Sequence, residues 1–162
     1  MTFTVHGQAV SRGVAIGRAV IVTSSRVDVA HYFIQPDQTD REIERLCQAR
    51  QAVVQDIERT QAHVQTLDAA TAPPELLALL DVHLMLLQDE QLDQSVRQWI
   101  EERHYNAEWA LTAQLEVVAR QFDEMDDPYL RERKADVEQV VERMLRVLQG
   151  DASPVMPPVL DP

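Results

Sequence analysis

Cysteine and glycine are scarce in this 162-residue chain, and both shortages narrow the range of folds. Cys47 is the only cysteine, so no disulfide can form within the chain and cysteine usage gives no sign of export. The 4 glycines and 8 prolines are too few for many short strands joined by tight turns. No apolar run approaches the roughly 18 residues of a membrane span, and the N-terminus lacks a signal-peptide pattern. We therefore expect a cytoplasmic protein.

Positive charge is also in short supply. The sequence has 15 Lys and Arg against 27 Asp and Glu, which gives a formal net charge of −12. Such a surface repels nucleic-acid phosphates and anionic lipids, so we expect neither nucleic acid nor a membrane as a partner. It suits a basic protein partner, although an acidic surface can also simply keep a protein soluble.

The spacing of apolar residues divides the chain into a strand-like beginning and a helical remainder. Residues 2–6, 19–23 and 27–33 are rich in β-branched and aromatic side chains and are predicted to be short strands. After Pro36, apolar stripes at three- and four-residue intervals predict helices at 41–67, 76–87, 91–103, 107–123 and from Pro128 to a stop at Gly150. Four or five helices with short connections predict a mainly α fold, an antiparallel bundle.

The predicted helix at 76–87 is apolar on nearly every side, and only Asp81 and His83 interrupt it. An amphipathic helix needs a narrower apolar face than this. The helix is therefore either buried in the bundle or offers a second apolar face to a partner. The carboxylates that follow, Asp89, Glu90 and Asp93, either pair with arginines of a basic partner or form an ordinary solvated elbow.

No spacing in the sequence predicts a metal site or a catalytic centre. None of the five histidines has the spacing of a zinc ligand set, and Gly7, Gly13 and Gly17 fit no phosphate-binding loop. His83 leaves three interpretations open. It is a hydrogen-bonded histidine at the edge of the core, a phosphorylated histidine, or a recognition histidine on an exposed apolar strip.

Three blocks of sequence resemble enzyme I of the phosphoenolpyruvate-dependent sugar phosphotransferase system. Residues 10–19 (VSRGVAIGRA) resemble the opening strand motif of that family. Residues 83–90 (HLMLLQDE) resemble its helix–elbow–helix in the domain that binds the phosphocarrier HPr, and residues 125–137 (MDDPYLRERKADV) resemble its next signature. The blocks occur in the family's order and at about its spacing.

The resemblance implies a helical subdomain inserted into an α/β subdomain whose phosphorylated histidine lies in a Gly-Gly-x-x-Ser-His motif. That motif does not occur in the sequence. We therefore expect residues 1–34 to be the first strands of an incomplete α/β subdomain, 35–149 the HPr-binding helical subdomain, and 150–162 a linker or truncated tail. The resemblance implies that this chain is inactive alone and holds no cofactor, because phosphoenolpyruvate and magnesium bind a separate carboxy-terminal barrel.

By position in the matching blocks, the resemblance also implies which side chains face HPr. They are Glu75, Ala78, Val82, His83, Met85, Leu86, Asp89, Glu90, Leu92, Leu115 and Arg133. Several of them share one face of the apolar helix by three- and four-residue steps, which agrees with a second apolar face. The remainder of an enzyme I is the other expected partner. The sugar branch, the nitrogen-regulatory branch, a multidomain fusion protein and a purely structural bundle stay open as alternatives.

Overall fold

The computed structural model describes residues 29–66, 74–128, 131 and 133–150. Within these residues, a 3-10 turn at Pro36–Gln38 leads into five long α-helices. The helices are α1 (Thr39–Gln65), α2 (Pro74–Leu87), α3 (Glu90–Arg103), α4 (Ala107–Asp123) and α5 (Lys134–Leu148). The predicted strands at 2–6 and 19–23 and the motif at 10–19 lie outside the described residues.

The helices α2 and α3 run antiparallel to α1 as one helix that is broken at the elbow. Both pack against α1, and three side-chain contacts step along the pair in opposite directions. The contacts are Gln61 Nε2 to Asp81 Oδ1 at 2.7 Å, Arg50 Nη1 to Asp93 Oδ1 at 3.1 Å, and Arg97 Nη2 to Cys47 Sγ at 2.9 Å. The residue numbers fall along α1 while they rise along α2 and α3, as expected for antiparallel helices.

The remaining two helices complete an up-down-up-down bundle. The backbone N–H of Ala107, the first residue of α4, donates to Glu42 Oε2 near the start of α1 at 2.9 Å. Arg45 Nη2 donates to the carbonyl of Leu148, the last residue of α5, at 3.2 Å. Thus α4 begins, and α5 ends, beside the start of α1. The predicted antiparallel bundle is confirmed. Because α2 and α3 together occupy one place in this bundle, the chain can be counted as four helices or as five.

The predicted apolar stripes form the core. Leu46, Val53 and Ile57 on α1 are at most 3 % exposed, as are Val96 and Ile100 on α3. The other helices contribute Leu80, Leu87, Ala110, Leu111, Val137, Val140, Val141, Met144 and Leu145. Each helix therefore holds its place by burying the stripe that its three- and four-residue spacing creates.

The helix ends lie within two residues of the predicted bounds, except at the start of the last helix. Pro74 is the first residue of α2, Asn106 precedes α4, and Gly150 adopts the positive φ of 76° that glycine permits after a helix. At Asp127–Pro128 a helical turn begins as predicted, but it does not continue into α5. Arg131 N donates to the Asp127 carbonyl at 3.1 Å, yet the chain turns at Arg133 and α5 itself begins at Lys134.

The prediction of a strand at 27–33 is wrong for the described residues 29–33. They form only one isolated antiparallel bridge, between Phe33 and Tyr105. The loop between α3 and α4 takes the backbone groups that a second strand would bond. Asn106 Nδ2 donates to the Ala30 carbonyl at 3.0 Å, and Ile34 N donates to the His104 carbonyl at 2.8 Å. Within the described part of the chain, no second strand lies beside this segment to form a sheet with it.

Candidate docking surface

The two faces of α2 differ as its composition suggested. Leu80, His83 and Leu87 are buried against the bundle. On the other side Met85 is 71 % exposed. Of the predicted partner-facing residues of the helix and elbow, Glu75, Ala78 and Asp89 are also exposed, whereas Val82 and Leu86 are half-buried. Ala78, Val82, Met85 and Leu86 form an apolar strip on this side of α2. Because the helix already has a buried face, this strip is available for a partner.

A groove of about 580 Å³ opens beside this strip, between the α2–α3 elbow and α4. Its apolar lining comes from both helices of the elbow and from α4, together with one residue of α5. The apolar lining residues are Leu86, Leu92, Trp99, Val117, Val118, Phe122 and Val137. Polar side chains including Asp89, Gln91 and Glu102 line the rest. The strip and the groove form one continuous surface at Leu86, which we call the elbow surface.

The elbow surface includes residues that the sequence resemblance did not indicate. Val117, Val118 and Phe122 line the groove, although the spacing of Val118 and Phe122 had suggested only an inward-facing stripe. Leu115, in contrast, was expected beside Leu86 and Leu92. It instead lines a second groove of about 560 Å³ between α4 and α5, with Val141 and Leu145. Leu115, Val118 and Phe122 follow one another at three- and four-residue steps, so the helical spacing of α4 does not distinguish the two grooves.

The three carboxylates of the elbow have different surroundings. Asp89 is the N-cap of α3, since its Oδ1 accepts from Gln91 N at 2.8 Å and from Leu92 N at 3.0 Å. Asp93 pairs with two arginines of its own chain, Arg50 at 3.1 Å and Arg97 at 2.7 Å. Glu90 is exposed at the first position of α3.

The pairing of Asp93 has a consequence for both the elbow and the partner. The hydrogen bond from Arg97 to Asp93 raises the pKa of Arg97 above its ordinary value, against the opposing effect of burial. Because Asp93 is already paired on two sides, it holds α3 on α1 and is not available to a basic partner. The expectation that Asp93 pairs with a partner's arginines is therefore replaced by a structural role.

His83 is the one predicted partner-facing residue whose side chain is buried. It is 1 % exposed, and neither Nδ1 nor Nε2 has a hydrogen-bond partner within the described part of the chain. Burial lowers the pKa of His83, Arg143 lowers it further, and Asp136 opposes both. In this conformation the ring can neither contact a partner nor accept a phosphoryl group. The interpretation as a core histidine fits best, although the hydrogen bond that it predicted is missing.

Arg133 immediately precedes α5. It is half-buried, and its Nη1 donates to Asp136 Oδ2 at 3.0 Å. Among the described ranges, no group of three or more His, Cys, Asp and Glu side chains is placed to hold a metal ion. Nor does any helix of these ranges combine the length and hydropathy that crossing a membrane requires.

The sequence matches the family described as "PEP-utilising enzyme, N-terminal" over residues 6–133. The chain belongs to this family. A phosphoenolpyruvate-protein phosphotransferase of Cupriavidus necator is 50 % identical over 158 residues, which are 98 % of this chain and 26 % of that protein. One of Haemophilus influenzae is 26 % identical over 146 residues, 90 % of this chain and 25 % of that protein. The chain thus spans about a quarter of the length of these relatives.

Solved structures of the same family share the fold. An enzyme I protein (nEIt) solved by NMR superposes with a TM-score of 0.67 at 24 % identity, over 78 % of this chain and 49 % of that one. A structure titled "N-terminal domain of Enzyme 1 - Nitrogen" gives the same TM-score at 27 % identity, over 78 % of this chain and 50 % of that one. The resemblance to the N-terminal region of enzyme I is confirmed.

Proposed function

We propose that this chain is the partner-docking module of a phosphoenolpyruvate-protein phosphotransferase and binds an HPr-type phosphocarrier on the elbow surface. The observation that carries the proposal is the apolar strip of α2, with Met85 71 % exposed, continuous with a groove of about 580 Å³. Exposed apolar surface costs free energy in water, and burying it against a partner recovers that cost.

The chemistry of the elbow surface indicates the kind of partner. Its centre is aliphatic and aromatic, from Leu86 and Leu92 to Trp99 and Phe122, which favours a partner with a protruding apolar patch. Asp89, Glu90 and Glu75 flank that centre with negative charge, and the chain carries a net charge of −12. A partner with basic residues around an apolar patch is complementary in both respects.

The proposal assigns docking to this chain and phosphoryl transfer to other parts of the enzyme. The phosphorylated histidine and the magnesium and phosphoenolpyruvate site are expected in those parts, as the resemblance implies. The relatives that the chain matches are named phosphoenolpyruvate-protein phosphotransferases, which supports a place in that reaction. The sugar and nitrogen-regulatory branches differ in the HPr-type partner, so the identity of the preferred partner distinguishes them.

The test is an NMR titration of the ¹⁵N-labelled chain with HPr-type proteins of both branches. We expect amide shifts concentrated at α2, the elbow and the groove side of α4. The variant Met85→Asp places a charge at the centre of the apolar strip, so its affinity should fall at least tenfold. Because the side chain is 71 % exposed, the fold should be unaffected.

The matched control is Ala52→Asp, which introduces the same charge on the exposed face of α1, outside the groove. Its affinity should equal that of the wild type. An absence of shifts with every HPr-type protein would overturn the docking function and leave a purely structural bundle. Shifts confined to the groove of Leu115 between α4 and α5 would show that the partner does not bind the elbow surface, and would contradict the proposal.

A further inference from the structure

The helix that carries the apolar strip is attached to the bundle differently from its neighbour α3. The Arg50–Asp93 ion pair, the Arg97–Cys47 contact and a hydrogen bond from Trp99 Nε1 to Gln114 Oε1 at 3.1 Å tie α3 to α1 and α4. In the described ranges, the side-chain hydrogen bond that joins α2 to another helix is the exposed one between Gln61 and Asp81. Apolar packing therefore carries most of the attachment of α2.

An imidazole without a hydrogen bond lies in the middle of that packing. His83 stands between Leu80 and Leu87 on the buried stripe of α2, which packs against α1 and α5. Its two ring nitrogens are buried and unpartnered within the described ranges. A neutral imidazole tolerates such a place at some cost, whereas an imidazolium with no acceptor would be a buried, unpaired charge.

We propose that His83 is a proton-sensitive switch for the docking helix. The neutral ring lets α2 close on α1 and α5, and protonation of the ring opens α2 and disrupts the elbow surface. The consequence for docking rests on the function proposed above, whereas the opening of the helix does not.

The charges around the ring do not offer a substitute partner. Those that act on it are Arg143 and Asp136, both on α5, and none of them is on α1. Arg143 repels an imidazolium. Asp136 attracts one, but its Oδ2 already accepts a hydrogen bond from Arg133 at 3.0 Å. Burial and Arg143 together outweigh Asp136, so the closed helix disfavours a proton on His83.

The direction of the pH effect follows from the two states. In the closed helix the pKa of His83 lies below its ordinary value, and in the open helix the exposed ring has an ordinary pKa of about 6.5. The open form therefore takes up a proton first as the pH falls. The closed form keeps its full stability above about pH 6.5 and loses it progressively below that pH.

Amide hydrogen exchange followed by NMR measures the opening directly. Between about pH 7.5 and pH 5.5, the opening constant of α2 should rise by up to about tenfold after correction for intrinsic exchange rates, because pH 5.5 lies one unit below the open-state pKa. The opening constant of α3 should stay the same. In the variant His83→Met, which fills a similar space without a titrating group, α2 should lose its pH dependence.

The control is His63→Met on the exposed side of α1, which should leave the pH response of α2 unchanged. A ring titration of wild-type His83 by ¹⁵N NMR remains informative even if His83→Met fails to fold. A pKa of 6.5 or higher, with α2 closed throughout, would overturn the proposal, as would an equal pH response in His83→Met.

The link to docking is tested by titrating the HPr-type partner at both pH values. We expect the affinity at about pH 7.5, divided by the affinity at about pH 5.5, to be larger for the wild type than for His83→Met. Comparing the two ratios cancels the effect of titrating the partner itself. No binding at either pH, together with a pH-dependent opening of α2, would refute the docking function and leave the switch intact. Equal ratios would refute the effect of the switch on docking.

Discussion

Arg45 connects three helices at the end of the bundle where α4 begins. Its guanidinium pairs with Glu42 of α1 and Glu108 of α4 and donates to the Leu148 carbonyl of α5. Both carboxylates are nearly buried, at 6 % and 7 % exposure. Burial opposes the charge of Arg45, but the hydrogen bonds to Glu108 and Glu42 outweigh it and raise its pKa. The guanidinium is therefore charged at every pH at which the bundle is folded.

Glu42 and Asn106 extend this network to the backbone. Glu42 Oε2 accepts from the N–H of Ala107, the first residue of α4, while the Asn106 side chain makes no capping hydrogen bond. The Asn106 amide instead donates to Ala30 and to Glu108 Oε2, the latter at 2.8 Å. One buried polar cluster thus satisfies the start of α4 and fastens residues 30–32 to it.

The first residue-scale prediction concerns the loss of Arg45. The change Arg45→Met keeps the aliphatic part of the side chain and leaves two nearly buried carboxylates unpaired, so we expect a loss of about 3 kcal/mol in the free energy of unfolding. Urea denaturation followed by circular dichroism at neutral pH measures it.

The control is Arg59→Met, the same substitution at an exposed position of α1. We expect it to change the stability by at most about 0.5 kcal/mol. If Arg45→Met were equally mild, the cluster would be a surface network of little energetic weight.

At the scale of elements, the elbow is the feature that shapes the docking surface. Two residues, Gln88 and Asp89, separate α2 from α3, and both helices lie along α1. Asp89 closes the elbow by capping α3, while Asp93 fixes the first turns of α3 to α1. At this break between α2 and α3, the apolar side chains of Leu86 and Leu92 line the groove instead of being fully buried in the bundle.

The element-scale prediction separates the two roles expected of Asp89. Asp89→Ala removes the acceptor for Gln91 N and Leu92 N and should lower stability by about 1 kcal/mol. Asp89→Asn keeps an acceptor oxygen and should retain most of the stability. If the charge of Asp89 also attracts the partner, both variants should weaken docking, which calorimetry measures beside urea denaturation.

A different outcome would reassign the residue. Normal docking by Asp89→Asn combined with weak docking by Asp89→Ala would mean that Asp89 acts on the partner only through the shape of the elbow. An unchanged stability of Asp89→Ala would contradict the capping role itself.

At the scale of the whole molecule, the net charge of −12 acts over a longer range than any single contact. It is spread along a bundle whose core is apolar, so the negative field surrounds the elbow surface. A field of this sign attracts a basic partner and orients it before contact. Steering of this kind raises the association rate more than it lengthens the life of the complex.

The corresponding prediction is a salt-dependent association rate. Raising the ionic strength from about 0.05 M to about 0.5 M should lower the association rate constant for a basic HPr-type partner about tenfold or more, because the screening length shortens severalfold. The dissociation rate constant should change much less. Stopped-flow fluorescence of Trp99, which lines the groove, provides the signal.

The double variant Glu75→Gln and Glu90→Gln tests whether the charge nearest the strip matters most. It should flatten the salt dependence, whereas neutralising Glu58 and Glu101, exposed positions elsewhere on α1 and α3, should flatten it less. An association rate that ignores salt would show that docking relies on apolar contact alone.

The helices and their inward stripes were predictable from the sequence because helical periodicity is local. The spacing of Leu46, Val53 and Ile57 fixes one face of α1 whatever packs against it. The same holds for Pro74 at the start of α2 and Gly150 after α5, where backbone chemistry alone sets the boundary. The composition of α2 allowed either a buried helix or a helix with a second apolar face, and Met85 was named by the family resemblance.

Tertiary structure decided which side chains meet. The helical spacing of α4 cannot tell which groove a residue lines, so it did not separate Leu115 in one groove from Val117, Val118 and Phe122 in the other. Asp93 and Glu42 are residue types that are usually exposed to solvent. In the structure Asp93 pairs with Arg50 and Arg97, and Glu42 pairs with Arg45 and accepts a hydrogen bond from the Ala107 N–H. His83 was equally consistent with an exposed and a buried ring. Period and propensity describe a residue relative to its own helix, whereas burial and pairing depend on the helices packed beside it.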